Sequence, residues 1–136
     1  MKTVLLVSLL LLATSHCNNN KPTNPILGQY QLVGHDASGR LALSGTISFV
    51  SLEQNHLKGQ CKIIREQNAP EGLYESEGNC EALIDGNTIS LDSAPFFDDA
   101  GLLLEGEFDG VTIRGIWKMD GFVTRPGGKF EAVKKM

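Results

Sequence analysis

The chain has 136 residues, of which 41% are hydrophobic and only 7% aromatic, and its formal net charge is −4. This length supports one folded domain around one core. The interspersed charges, with acidic residues in excess, exclude the basic patch that nucleic-acid binding requires, so no nucleic acid is expected as a partner.

The first sixteen residues have the three-part plan of a secretory signal. Lys2 supplies a basic start, residues 4–13 form an apolar run interrupted only by Ser8, and small polar residues follow. The apolar run is shorter than the roughly 20 residues that a membrane-spanning helix needs. The sequence therefore predicts that residues 1–16 are a signal peptide and that the rest of the chain is exported.

Cys17 directly follows this run, and the segment resembles the signals of bacterial lipoproteins. In that group the cysteine is acylated, for example with palmitate, and becomes the first residue of the mature protein. Residues 17–25 are polar and suit a flexible tether. Thr14 and His16 depart from the group's usual leucine and its usual glycine or alanine. The resemblance implies a lipid anchor at Cys17, and Asn18 in place of aspartate favours the outer membrane.

A second interpretation is ordinary cleavage after Ser15, which would release a secreted or periplasmic protein with Cys17 as a free thiol. Three cysteines are an odd number for an oxidising compartment, whereas one lipidated cysteine and one disulfide account for all of them. Cys61 and Cys80 stand in matching Gly-x-Cys segments, and the loop of residues 67–74 can bring their strands side by side. A Cys61–Cys80 disulfide is therefore predicted.

From residue 26 onward, short alternating segments are separated by turn residues, and no helical period is evident. The strands are predicted at residues 28–34, 41–52, 56–66, 75–84, 87–92, 102–108, 111–119 and 122–133. Consecutive hairpins of eight strands indicate an all-β domain over residues 26–136, an eight-stranded antiparallel up-and-down β-barrel.

A pattern of glycine, one residue, then an apolar or cysteine residue recurs in seven of these strands and predicts the inner face of the barrel. We expect two-residue hairpin loops at Asp85-Gly86, Asp109-Gly110 and Asp120-Gly121, and a three-residue loop at residues 53–55. The cross-strand partners that these loops predict are Ala82 with Ile89, Leu102 with Trp117, Trp117 with Thr124, and Phe49 with Gly59.

Residues 26–30, followed by a strand, a turn and a second Gly-containing strand, resemble the opening of the calycin group of lipocalins, avidins and their bacterial relatives. Those proteins begin with Gly-x-Trp, and a basic residue from a late strand caps the Trp. Tyr30 replaces the Trp here, and Arg125 or Lys134 would be the basic residue. The resemblance implies a calycin-like barrel that carries a small apolar ligand. Biotin chemistry does not carry over, because this chain has one Trp and a predicted inner face of aliphatic residues and glycine.

Groups that could perform catalysis are few. His35 and His56 fall in predicted turns, without cysteine or carboxylate neighbours at metal-ligand spacing. Glu105 and Glu107 alternate outward on a strand, as on a solvated barrel wall. The sequence contains no nucleophile elbow, phosphate loop or dinucleotide fingerprint. We expect a protein that is not an enzyme and that uses no metal or cofactor.

Phe96 and Phe97 are adjacent, so both cannot face the core from an extended segment. They would form either a lid or protein contact at the barrel mouth, or a plug at one end of the barrel. Trp117 is expected to pack in the core or to line a pocket, and Tyr30 completes the candidate contacts. Two functions stay open. The first is a membrane-tethered module that binds an envelope or host protein, and the second is a carrier of a small apolar ligand.

Overall fold

The computed structural model describes residues 24–95, 101–119 and 125–136. Its eight strands are β1 (Gly28–Asp36), β2 (Leu41–Glu53), β3 (His56–Arg65), β4 (Ser76–Asp85), β5 (Thr88–Asp92), β6 (Leu102–Phe108), β7 (Thr112–Met119) and β8 (Arg125–Lys134). Each strand pairs antiparallel with the next, and β8 returns to pair with β1. The predicted closed up-and-down barrel is confirmed. β1 is two residues longer than expected, so His35 lies in this strand and not in a turn, and His56 begins β3.

The core fills the inside of the barrel because apolar residues occupy alternate positions on each strand. In β1, for example, Tyr30 and Leu32 are fully buried, whereas Gln29 and Gln31 are exposed. Cys61 and Cys80 belong to the same inner face and form the predicted disulfide between β3 and β4, with a Cα–Cα distance of 5.7 Å.

The β2–β3 hairpin has the predicted partners, since Phe49 lies opposite Gly59. Its loop is shorter than expected. Glu53 pairs with His56, and the register shifts between Phe49 and Ser51, where the extra residue Val50 bulges outward. A two-residue turn plus a bulge therefore gives the same pairing as a three-residue loop.

The β6–β7 hairpin differs from prediction by two residues. Phe108 pairs with Ile113, so the loop has four residues and not the two of Asp109-Gly110. The Asp109 carboxylate accepts hydrogen bonds from the backbone N–H groups of Val111 and Thr112, at 3.0 and 2.8 Å, and these bonds hold the longer loop. A shift of two residues leaves every side chain on its predicted face.

The β4–β5 and β7–β8 registers also differ from the predicted ones. At the β4–β5 hairpin the turn is at Gly86 and Asn87, so Ala82 pairs with Leu91 and not with Ile89. Gly86 has a φ of 60°, a conformation that glycine adopts without strain. The other errors concern Trp117. Its partners are Leu104 in β6 and Gly128 in β8, in place of the expected Leu102 and Thr124. The Asp120-Gly121 turn lies outside the described residues.

The chain enters the barrel at one end, which we call the entry end. There the hydroxyl of Tyr30 donates a hydrogen bond to the carbonyl of Ile26 at 2.8 Å, and the ammonium of Lys134 donates to the carbonyl of Pro25 at 2.5 Å. Lys134 is also the residue opposite Tyr30 across the β1–β8 pair. Of the two basic residues expected near Tyr30, Lys134 lies beside it, whereas Arg125 begins β8 at the other end, the far end.

Candidate binding surface

The inside of the barrel is filled by its own side chains. The space left between the inward residues is about 10 Å³, close to what a single water needs. Drug-sized ligands occupy pockets of about 300–1,000 Å³. The side chains around this space are Ile47, Phe49, Ile89, Leu91, Leu104, Ile113 and Phe130. The described interior therefore leaves no room for a carried ligand.

The larger cavities lie outside, on the wall formed by β1, β8 and β7. Two adjoining depressions have volumes of about 700 and 680 Å³, and both are lined by His35, Ile116 and Lys129. We call this continuous feature the outer groove. It runs along β8 from Gly127 to Val133 and remains open to solvent on one side.

The outward positions of three neighbouring strands build the outer groove in rows. His35, Lys129 and Ile116 form one row across β1, β8 and β7. Val33, Glu131 and Arg114 form the next row. Each row thus contains a charged residue of β8 in the middle and an aliphatic residue in a neighbouring strand. Of the aliphatic residues, Ile116 is 44% exposed. The groove has an apolar surface interrupted by charge.

Close backbone approach shapes the far end of the outer groove. The Nε1 of Trp117 donates a hydrogen bond to the carbonyl of His35 at 2.9 Å, which fixes the indole between β7 and β1. A Cβ atom at Gly127 would lie 2.2 Å from the Trp117 ring, and one at Gly128 would lie 1.8 Å from the His35 carbonyl oxygen. Only glycine at these two positions allows β8 to pass so closely beneath the ring and the carbonyl.

Most charges beside the outer groove are paired with neighbours on the same wall. Arg114 contacts both Glu131 and Asp109 at 3.2 Å, and Lys118 contacts Glu105 at 3.4 Å. Hydrogen bonds from the backbone of Thr112 and Val111, with Arg114 nearby, lower the pKa of Asp109.

Asp36, at the far end of the groove, is also paired within its own turn. It contacts Arg40 at 3.0 Å and accepts hydrogen bonds from the backbone N–H groups of Ser38 and Arg40, which lower its pKa. Within the part of the chain that the structure describes, Lys129 has no acidic partner, and the His35 ring forms no ion pair. Because Arg114 is shared by Glu131 and Asp109, the charge of Lys129 offsets one extra carboxylate, and the charges in and beside the outer groove balance.

The residues singled out from the sequence fall in different places. Tyr30 and Trp117 are buried in the core, at 0% and 1% exposure, and only Trp117 adjoins the outer groove. Their roles as ligand or partner contacts stay predictions. Phe96, Phe97 and Cys17 lie outside the described residues.

Burial also sets the chemistry of Tyr30. It raises the pKa of the phenol from 10.0 to about 12, because the charged phenolate is poorly solvated inside the barrel. The ring meets Phe49 and Phe108 edge-on, with centroid distances of 5.7 and 6.3 Å. Tyr30 thus closes the core at the entry end.

Catalytic or metal-binding arrangements are not evident among the described residues. His56 and Glu81 approach to 3.5 Å on the outer wall of β3 and β4, as a partly exposed pair. No group of three or more His, Cys, Asp or Glu side chains in residues 24–95, 101–119 and 125–136 is arranged to hold a metal ion. The same residues include no helix that is long and apolar enough to cross a membrane.

The outer groove was not predicted from the sequence. Val33, Ile116 and Val133 lie in three different strands, and each stands next to a buried apolar residue of the core, namely Leu32, Trp117 and Ala132. Such positions are read as ordinary solvated wall, since scattered surface apolar residues are normal. Only the pairing of β1, β8 and β7 brings them together, and the signal that could have found them was the apolar residue on the outward face of each of these strands.

Comparisons with known proteins relate this chain to designed barrels. No family model matches the sequence, and no curated protein matches it. Among solved structures, a redesigned β-barrel named b11L5F_LGL is similar, with a TM-score of 0.54 and 12% sequence identity, over 82% of this chain and 92% of that one. A second redesigned β-barrel, mFAP1, solved with DFHBI bound, has a TM-score of 0.50 and 14% identity, over 82% of this chain and 95% of that one. At these identities the similarity establishes the closed eight-stranded barrel fold.

Proposed function

We propose that this protein is an exported, non-enzymatic binding module, tethered to a membrane through lipidated Cys17, which binds a protein partner on its outer wall. The observation that carries the proposal is the contrast between a filled interior, with about 10 Å³ of space, and an outer groove whose two parts measure about 700 and 680 Å³. The outer wall therefore has space for a binding partner, whereas the described interior does not.

The shape of the outer groove favours a protein segment over a small molecule. Pockets for small ligands enclose most of the ligand surface, whereas this groove is open along one side. A protein segment needs to bury only one of its faces. Aliphatic residues with charged groups around them also match the composition of protein interfaces, in which an apolar centre has a polar rim.

The position of the tether is consistent with this use. The chain reaches the barrel at the entry end, where Pro25 and Ile26 are held by Lys134 and Tyr30. Residues 17–25 could extend about 30 Å from an anchored Cys17. The far end, where Gly127 lies against the Trp117 ring, would then point away from the membrane. The groove would be accessible to a partner.

The anchor is tested by replacing Cys17 with alanine in the cells that make the protein. We expect the wild-type protein in the membrane fraction and Cys17→Ala in the soluble exported fraction, because the acylated sulfur of Cys17 is the proposed attachment to the membrane. Equal membrane association of the two chains would contradict the anchor and leave the binding proposal to be judged separately.

The binding surface is tested by photocrosslinking in the same cells. A crosslinking amino acid is placed at Ile116 in the outer groove or at Leu83, a similarly exposed aliphatic position (57%) on the opposite wall in β4. A discrete protein adduct is expected from position 116 and not from position 83, and mass spectrometry identifies it. Adducts of equal yield from both positions, or no adduct from position 116, would contradict the proposal.

The second candidate function is the binding of a small apolar ligand. The observation that favours it is the similar fold of mFAP1, which was solved with DFHBI bound. Calorimetric titration of the purified chain with DFHBI tests this candidate directly. Saturable one-to-one binding that Ile116→Ser does not alter would support an interior site. Absence of binding would count against a carrier function that resembles the designed barrel.

A further inference from the structure

We infer that the outer groove binds an amphipathic α-helix of a partner protein, which lies along β8 and faces the groove with an apolar surface that carries no net charge. This inference rests on the proposed function and specifies the structure and the chemistry of the partner. Three features of the wall support it: the closed hydrogen-bond ladder, the dimensions of the groove and the balance of its charges.

The closed ladder limits which partner backbone can be buried on this wall. β8 pairs with β1 on one side and with β7 on the other, so the backbone N–H and C=O groups along the groove belong to the sheet. An extended partner segment would find no strand edge to pair with, although strand addition is a common way to bind such segments. Its backbone groups would lose water without gaining hydrogen-bond partners, which costs free energy. An α-helix forms its backbone hydrogen bonds internally and avoids this cost.

The groove also has the dimensions of a short helix. β1 and β7 flank β8, and their axes lie two strand spacings apart, or about 10 Å. An α-helix with its side chains is about 10–12 Å across. From Gly127 to Val133 the groove follows β8 for about 20 Å, the length of roughly 13 helical residues.

Apolar side chains lie on both flanks of the groove and near its end. Ile116 is on the β7 side, Val33 is on the β1 side, and Val133 lies toward the entry end. Helical residues three and four positions apart share one face, so a single apolar stripe can contact all three aliphatic side chains. Docking of such a stripe in a groove is an established mode of peptide recognition.

The charges of the groove determine the charge of the helix face. Arg114 lies within 3.2 Å of both Glu131 and Asp109, and Lys129 is on the same outward face of β8 as Glu131. These two positive and two negative groups balance. A docking face with net charge of either sign would bring charges that the wall cannot pair, so a face without net charge is complementary. The affinity should therefore change by less than about twofold between low and physiological salt.

Photocrosslinking from two positions measures the conformation of the bound segment. A crosslinking amino acid is placed at Ile116 or at Val133 of the full chain, in the cells that make it, and mass spectrometry identifies the partner residue that each position captures. Ile116 lies opposite Lys129, so the two positions are separated by about 13 Å along β8. A helix along β8 would place the two captured residues about nine positions apart in the partner sequence. An extended segment would place them about four positions apart.

A labelled synthetic peptide of the captured segment provides a second measurement, by fluorescence anisotropy with the full chain in a neutral detergent. Proline midway between the two captured residues should weaken binding by at least about tenfold, because it breaks a helix. Alanine at the same position is the matched control and should change the affinity by less than about twofold. Position 83, on the opposite wall in β4, is the crosslinking control and should capture neither partner residue.

The outcomes separate this inference from the proposed function. A spacing of about four residues, or equal effects of proline and alanine, would overturn the helix and leave the outer groove as a binding surface. Absence of an adduct from position 116 would contradict the proposed function and this inference together. An adduct of the chain with itself would identify a second copy as the occupant and would also overturn the inference, since the described part of that copy presents strands.

Discussion

Loss of the Cys61–Cys80 disulfide is expected to lower the free energy of unfolding by about 3 kcal/mol. The bond joins residues 19 apart in sequence, and closing a loop of this size reduces the entropy of the unfolded chain by roughly that amount at room temperature. Both cysteines are almost fully buried, at 2% and 1% exposure, so reductant reaches them mainly when the chain unfolds. The reduced protein should therefore be prepared in denaturant and refolded.

Urea unfolding followed by the fluorescence of Trp117 provides the assay. The chain has a single Trp, and this residue is 1% exposed in the folded barrel, so its emission reports exposure of the core. With a typical urea dependence of about 1.5 kcal/mol per molar, a loss of about 3 kcal/mol moves the midpoint down by about 2 M. The double variant Cys61→Ala, Cys80→Ala is the control, and its midpoint should be the same with and without reductant. Equal midpoints for oxidised and reduced wild type would refute the reasoning.

Three further predictions concern the two ends of the barrel. Because burial raises the pKa of Tyr30 from 10.0 to about 12, the stability gained from the neutral phenol is present below pH 10 and is lost as the pH rises from 10 to about 12. The variant Tyr74→Phe has one Tyr, and its ultraviolet titration should show phenolate only near pH 12. Ionisation near pH 10 would contradict this prediction. Gly127→Ala should destabilise the protein by about 1–3 kcal/mol in urea, since the new methyl group must displace the Trp117 ring from its bond to His35; an unchanged midpoint would show that the ring moves freely. Trp117→Phe should lower the free energy of unfolding by about 2 kcal/mol or more, because packing contacts and the hydrogen bond to the His35 carbonyl are lost. Thermal unfolding followed by circular dichroism measures this loss. A smaller loss would assign the indole little role in the core.

The barrel could be predicted well from the sequence because the patterns that specify it lie within single strands. Apolar alternation identified the eight strands and their inner face, and the matching Gly-x-Cys segments identified the disulfide between Cys61 and Cys80. Hairpin register was less predictable. The Asp109-Gly110 pair is typical of a two-residue turn, but the Asp109 carboxylate binds two backbone N–H groups and stabilises a four-residue loop instead.

The binding surface could not be predicted from the sequence for a different reason. Val33, Ile116 and Lys129 are far apart along the chain, and each is unremarkable in its own strand. They become neighbours only because β8 closes the barrel between β7 and β1. The depth of the groove further depends on Gly127 and Gly128, whose missing side chains matter through contacts with Trp117 and His35.

The central claim is that this barrel binds on its outer wall and not inside. Methyl-labelled NMR of the chain, titrated with the partner protein that the crosslink at position 116 captures, tests it most directly. We expect saturable shifts of the methyl groups of Val33, Ile116 and Val133, which line the outer groove. Shifts concentrated instead at Ile47, Leu104 and Ile113, which surround the interior space, would contradict the account.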